Sequence, residues 1–200
     1  MTKADLSSGT FSIRAVSPDS KFMGVAVASG SASVSERVPY AKPGIGVIAT
    51  QAYTNVTYGT KGLELLIQGL SPQETLSKLL EEDSGRDFRQ VAMIDFKKRK
   101  TVFTGASVQE FSAEIMKENY IVIGNLLSRS AVISAMAKQF EISSDSLAWG
   151  MMNALRAGRK SGGDKRGEKS AALIVVDAEK VEVEVKIASH KILLKRYLES

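Results

Sequence analysis

"SSGTFSIRAV" (Ser7–Val16) passes from small polar residues into a strict apolar–polar alternation between Thr10 and Val16. A period of two is the signature of a β-strand. "SPDSK" follows as a turn, and "FMGVAVA" (Phe22–Ala28) is a second, more fully apolar strand. The chain therefore opens on an antiparallel hairpin rather than a strand–helix unit. A Ser-rich loop and "VPYAKPG" lead to a third strand, "IGVIATQA" (Ile45–Ala52).

Beyond it the period becomes helical. Leu63, Leu66, Ile67 and Leu70 fall on one face of a helix over Thr60–Leu70. Gly69 and the capping box Ser71-Pro72-Gln73-Glu74 separate it from a second helix that buries Leu76, Leu79 and Leu80. Strand patterns return at Arg89–Phe96, Thr101–Thr104 and Asn119–Ile123, with "KKRK" (Lys97–Lys100) as the turn of a hairpin. Two more helices are expected, at Ser130–Phe140 and from Asp145 to Ala157. Ser143 or Ser144 would cap the second, and Gly158 would stop it. "SAALIVVD" and "KVEVEVKI" form a closing strand pair, followed by a short amphipathic C-terminal helix with His190 at its start or on the surface. Antiparallel strands with helices arriving in pairs predict an α+β fold, two sheets packed together with a helix pair outside each.

Composition narrows the chemistry. Two hundred residues, 44% hydrophobic and 24% charged, suit one globular domain. There is no membrane-length apolar run and no secretory h-region, so a cytoplasmic location is expected. The net charge of +5 is too small, and the basic clusters too poor in aromatics, to favour a nucleic-acid partner. No Walker loop or dinucleotide fingerprint is present, and no metal-ligand spacing, so neither cofactor nor metal is expected. With no cysteine and one histidine, thiol and Ser-His-Asp chemistry have little to work with. Hydroxyl chemistry remains. If Thr10 were a chain's first residue, its α-amine, with a pKa of roughly 7.7–8.0, could serve as its base. Gly9 before it would let the backbone take the shape that self-cleavage requires. By themselves the residues favour an ordinary threonine at the edge of a strand.

A series of motifs speaks to this choice: "GTFSI", "GVAVAS" (Gly24–Ser29), "VPYAKPGIGVIATQA" (Val38–Ala52), "NVTYGTKGLELLIQGLSPQETL" (Asn55–Leu76), "RQVAMID" (Arg89–Asp95), "IGNLL" (Ile123–Leu127), "SAMAKQFE" and "RAGRKSGGDKRGEKSAALIVV" (Arg156–Val176). In this order they resemble the uncharacterised family known as domain of unknown function 1028, which itself looks like a branch of the N-terminal-nucleophile hydrolases. The resemblance implies a four-layer αββα sandwich over residues 10–200 and hydrolysis of a small amide or peptide-like substrate. It also implies Thr10 as nucleophile and admits a homodimer. Members commonly begin Met-Thr-Phe-Ser, whereas here residues 1–9 precede the matching threonine as an extension or leader.

Further residues are carried over in the same way. Asn125 would donate to an oxyanion, or else cap a turn. Lys42, at the spacing of the lysine in proteasome-like relatives, would lower the α-amine pKa, or else lie on the surface. Gln51 and Asn55 line a substrate cleft or satisfy loop backbone. Asp164 and Arg166 pair with each other, orient the nucleophile or bind a substrate carboxylate, with Ser170 in the same polar group. The expected function is that of an N-terminal-nucleophile amidohydrolase. The alternative is a non-catalytic ligand-binding protein of the same fold with its leader uncut.

Overall fold

The computed structural model describes residues 9–109, 111–143, 146–165 and 167–188. Ten strands and four α-helices alternate in groups along these residues: β1 (Thr10–Val16), β2 (Met23–Ser29), β3 (Pro39–Lys42), β4 (Gly46–Ala52), α1 (Thr57–Ile67), α2 (Pro72–Glu81), β5 (Arg89–Asp95), β6 (Lys100–Thr104), β7 (Ala113–Met116), β8 (Tyr120–Asn125), α3 (Ala131–Glu141), α4 (Leu147–Lys160), β9 (Ser170–Val176) and β10 (Val181–Ile187). They form two antiparallel sheets. One has the order β10-β9-β2-β1-β8-β7, the other β3-β4-β5-β6. The α+β class read from the sequence is observed.

Alternation along each central strand assigns its two faces. Phe11, Ile13 and Ala15 of β1 and Tyr120 and Val122 of β8 pack with Val132, Met136, Met151 and Leu155 of α3 and α4. The opposite face supplies Val16, Val25, Val27, Ile121 and Ile123, which pack with Val47, Ala49, Ala92 and Ile94 of the second sheet. That sheet's other face, through Ile48, Val91 and Met93, meets Tyr58, Leu65, Leu76 and Leu79 of α1 and α2. Residues Thr10, Ser12 and Arg14 thus point into the space between the sheets.

Several expectations change in detail. The strands β3 and β7, which have only four residues each, lie where the sequence predicts no strand. Helix α1 buries Tyr58, Gly59, Gly62, Leu65 and Leu66, while Ile67 is exposed. Its inward face is set by glycine: a Cβ on Gly59 would lie 2.2 Å from the Tyr40 ring. Gly158 does not stop α4, which runs on to Lys160 from an N-cap at Ser146. A Cβ there would lie 2.8 Å from Met136, so Gly158 permits close packing of α4 on α3. The capping box is present: Ser71 accepts from the Glu74 amide, and Glu74 accepts from the Ser71 amide. Such caps contribute about 1 kcal/mol. "KKRK" lies where β5 turns into β6, with Asp95 Oδ1 accepting from the amides of Lys97 and Arg99. The expected C-terminal helix, His190, Ser144 and Asp145 lie outside the described residues. No helix among the described residues is long and apolar enough to cross a membrane.

Candidate functional site

Strand register gathers the site. Ser170 of β9 lies opposite Ser29 of β2, Ser29 opposite Thr10 of β1, and Thr10 opposite Asn125 of β8. All four sit at one end of the inter-sheet face that is apolar further along. Gln51 and Gln90 meet them from the second sheet, where they too are neighbours in register. Six polar residues thus occupy one end of an otherwise hydrophobic layer. All are buried, so each must find hydrogen-bond partners.

Those partners form one network. Gln51 Nε2 donates to the Thr10 carbonyl at 3.1 Å and to Gln90 Oε1 at 2.8 Å, while Gln51 Oε1 accepts from the Ser12 hydroxyl. Gln90 Oε1 also accepts from Asn125 Nδ2 at 3.2 Å, and Gln90 Nε2 donates to the Gly124 carbonyl at 3.0 Å. Ser29 Oγ donates to the Gly9 carbonyl at 2.8 Å and lies 3.0 Å from Thr10 Oγ1. A serine hydroxyl has one proton. Since Ser29 gives its proton to Gly9, Thr10 must be the donor in the Thr10–Ser29 contact. The Gly30 amide also donates to the Gly9 carbonyl, at 3.2 Å.

The carbonyl preceding Thr10 therefore has two donors, and the Thr10 hydroxyl has a direct path to one of them. Gly9 is packed tightly here: a Cβ on it would lie 2.4 Å from the Leu126 carbonyl. Asp164 Oδ2 accepts from the Gly30 amide at 2.8 Å and would clash with a Cβ on Gly30.

Thr10 and Asn125 open onto a cleft of about 240 Å³. Ser31, Arg37, Ala52, Tyr53, Val56, Phe88 and Leu126 contribute to its walls. Two of these, Ala52 (φ 67°) and Leu126 (φ 48°), hold the left-handed conformation that side chains disfavour. Such strain concentrates at sites where the surroundings fix a geometry for function. The Tyr53 segment is clamped from behind. Arg89 donates to Asp83 at 2.7 and 3.1 Å and to the Tyr53 carbonyl at 2.6 Å, with its guanidinium 5.1 Å from the Tyr53 ring centre. The hydrogen bonds from Arg89 hold the Asp83 carboxyl down to about 2.

The expected site residues separate into three groups. Thr10 and Asn125 share the cleft. Gln51, Asp164 and Ser170 stand behind it as supports. Ser170 Oγ donates to the Ser31 carbonyl at 2.6 Å and accepts from the Val34 amide, fixing the loop after β2. The remaining residues lie elsewhere. Asn55 Oδ1 accepts from the Thr57 amide, and its carbonyl accepts from Thr50 Oγ1 and the Tyr58 amide, so it satisfies the backbone entering α1. Lys42 is exposed and opposite Gly46, at the far end of the β3–β4 hairpin. Six residue steps along β4 separate that level from Ala52, about 20 Å along a strand. Among the described residues, the cation lining the cleft is Arg37. Arg166 lies outside the described residues. Sequence reading missed Ser29, Gln90, Arg37 and the Asp83–Arg89 pair. Gln90 did leave a signal, a polar residue at an inward position of the apolar strand "RQVAMID". Among the described residues, no cluster of three or more His, Asp or Glu could hold a metal ion.

The model of a family of unknown function, DUF1028, matches residues 10–194. The chain belongs to that family. The crystal structure of the DUF1028 protein SPO2555 from Silicibacter pomeroyi is similar at 30% identity and a TM-score of 0.84, over 92% of this chain and 80% of that one. A more distant likeness, at 12% identity and a TM-score of 0.47, covers 95% of this chain and 91% of Anbu, the ancestral β-subunit, from Yersinia bercovieri. None of the functionally curated proteins compared with this DUF1028 chain matches it.

Proposed function

We propose that this DUF1028 protein is an N-terminal-nucleophile amide hydrolase, an αββα sandwich over residues 10–200, with residues 1–9 as a leader that Thr10 removes. The observation that carries this reading is the environment of the Gly9–Thr10 bond. Its carbonyl oxygen accepts from Ser29 Oγ and the Gly30 amide, and the Thr10 hydroxyl is hydrogen-bonded to the same serine. The sequence of core clusters, helix pair to sheet, sheet to sheet, sheet to helix pair, supports the layered architecture.

In the processing step, Thr10 Oγ1 bonds to the Gly9 carbonyl carbon. Its proton passes to Ser29 Oγ as Ser29 gives its own to the Gly9 oxygen. The C–N bond then breaks as the proton on the Gly9 oxygen passes to the nitrogen, and Gly9 is left as an ester on Thr10. Water cleaves that ester, releasing a Gly9 carboxylate and freeing both the hydroxyl and the α-amine. In turnover, the amine accepts the hydroxyl proton as Oγ1 attacks a substrate amide. The amide of Asn125 carries two protons, one engaged by Gln90, and the other is available to the developing oxyanion. A donor of this kind lowers the barrier by about 2.7–4 kcal/mol. The amine then passes its proton to the leaving nitrogen, and water releases the acyl group.

Hydrolysis of a panel of small amides tests the proposal. Thr10→Ser retains measurable activity, Thr10→Ala has none, and kcat/KM rises as the amine deprotonates near pH 8. Undiminished turnover by Thr10→Ala would refute the nucleophile. A chain that binds amides without cleaving them would be the binding protein of the alternative reading.

A further inference from the structure

We infer that Arg37 and Ser31 form a carboxylate-recognition subsite beside Thr10, so that the cleft takes a small amide bearing both a carboxylate and an apolar arm. This rests on the reading of Thr10 as the reacting group of the same cleft.

Charge is the first observation. Arg37 is the single charged side chain among the described residues that line the cleft. Its Nη2 donates to Ser31 Oγ and to the Ala32 carbonyl, both neutral acceptors. Among the described residues it has no carboxylate partner, so none of them neutralises its positive charge. Both Nη2 protons are engaged in this way and Nε is buried, which fixes the group's position and leaves the two Nη1 donors, with the delocalised charge, for a carboxylate oxygen.

Position is the second. Ser31 ties this cation to the reacting end, because its amide donates to Ser29 Oγ at 3.1 Å. The loop carrying both residues is fixed by Ser170, through the Ser31 carbonyl and the Val34 amide. Arg37 is thus held by elements that also hold Thr10, and a ligand anchored on it meets the nucleophile in a set orientation.

The apolar lining completes the specificity. Tyr53, Val56 and Phe88 line the cleft and remain 43%, 49% and 51% exposed. Ligand sites commonly pair such a lining with a few placed polar groups. At about 240 Å³ the space is below the roughly 300–1,000 Å³ of drug-sized clefts, which favours a single acylated amino acid over a peptide.

Calorimetric binding of N-acetylphenylalanine and its uncharged partner N-acetylphenylalaninamide tests this on the full chain carrying Thr10→Ala, which cannot turn either over. The acid is expected to bind about tenfold or more tightly than the amide. Arg37→Met is expected to abolish that preference without weakening the amide, and Arg37→Lys to restore part of it. Equal binding of the two probes, binding of neither, or a preference surviving Arg37→Met would overturn the inference. An intact acid preference in a chain that neither processes nor hydrolyses amides would leave the subsite standing and remove the nucleophile reading instead.

Discussion

Thr10 Oγ1 lies 3.0 Å from Ser29 Oγ, and Ser29 donates onward to the carbonyl of Gly9. Two hydroxyls on adjacent strands therefore link a candidate nucleophile to the oxygen of the bond it would break. The arrangement needs no histidine, which suits a chain that has one histidine and no cysteine.

Removing the middle hydroxyl should separate the relay from the fold. Ser29→Ala leaves the β1–β2 ladder intact but takes away one donor to the Gly9 oxygen. Loss of one such donor costs about 10²–10³ in rate. Cleavage followed by mass spectrometry should slow by about that factor, while the lost buried hydrogen bonds lower Tm by several degrees without unfolding the chain at the assay temperature. An unchanged cleavage rate would exclude Ser29 from the relay.

The clamp behind Tyr53 should make stability depend on acid pH. Asp83 is held down to about 2 by its Arg89 hydrogen bonds, below the roughly 3.9 of an unfolded aspartate. A depressed carboxyl contributes stability above the unfolded pKa and loses it as pH falls towards the folded one. The contribution is on the order of 2 kcal/mol at neutral pH and fades between about pH 5 and pH 1. Asp83→Asn should be less stable than the wild type in urea at pH 7, and the gap should narrow at pH 3. A gap that does not change with pH would contradict the assignment.

Arg14 should be a cost to the fold. It is fully buried between the sheets, with Nη2 donating to the Ser12 and Ile121 carbonyls and with Nε and Nη1 finding no partner among the described residues. Burial alone pulls its guanidinium down to about 9. Replacing buried charge by an apolar side chain of similar length commonly gains about 1–4 kcal/mol. Arg14→Met should therefore raise Tm by several degrees, a few for each kcal/mol in a chain of this size. A lower Tm would assign Arg14 a stabilising partner.

Much of the fold was legible because local signals agreed with it. The alternation of "TFSIRAV" bounds β1, and the Ser71–Glu74 box starts α2. Misreadings arose where side-chain hydrophobicity does not report packing. In α1 the glycines face inward and Ile67 outward, because Gly59 and Gly62 let the helix approach Tyr40 and Ile48. Strands β3 and β7 are too short to show a period.

The site was legible only in part, since its geometry is a matter of register between strands distant in sequence. Thr10 and Asn125 are 115 positions apart yet directly opposed. Ser29 looked like part of a Ser-rich loop, although it closes the inward face of β2. Lys42 illustrates the converse. Its distance from Thr10 along the chain matched the expected lysine, but the β3–β4 hairpin carries it to the other end of the sheet.

The central claim is that Thr10 becomes the first residue of the working protein. Intact-mass measurement of freshly expressed protein, followed over time beside Thr10→Ala, tests it most directly. The account predicts that a species spanning Thr10–Ser200 accumulates in the wild type and never in the variant. A wild-type chain that keeps its Gly9–Thr10 bond while hydrolysing amides at full rate would contradict it.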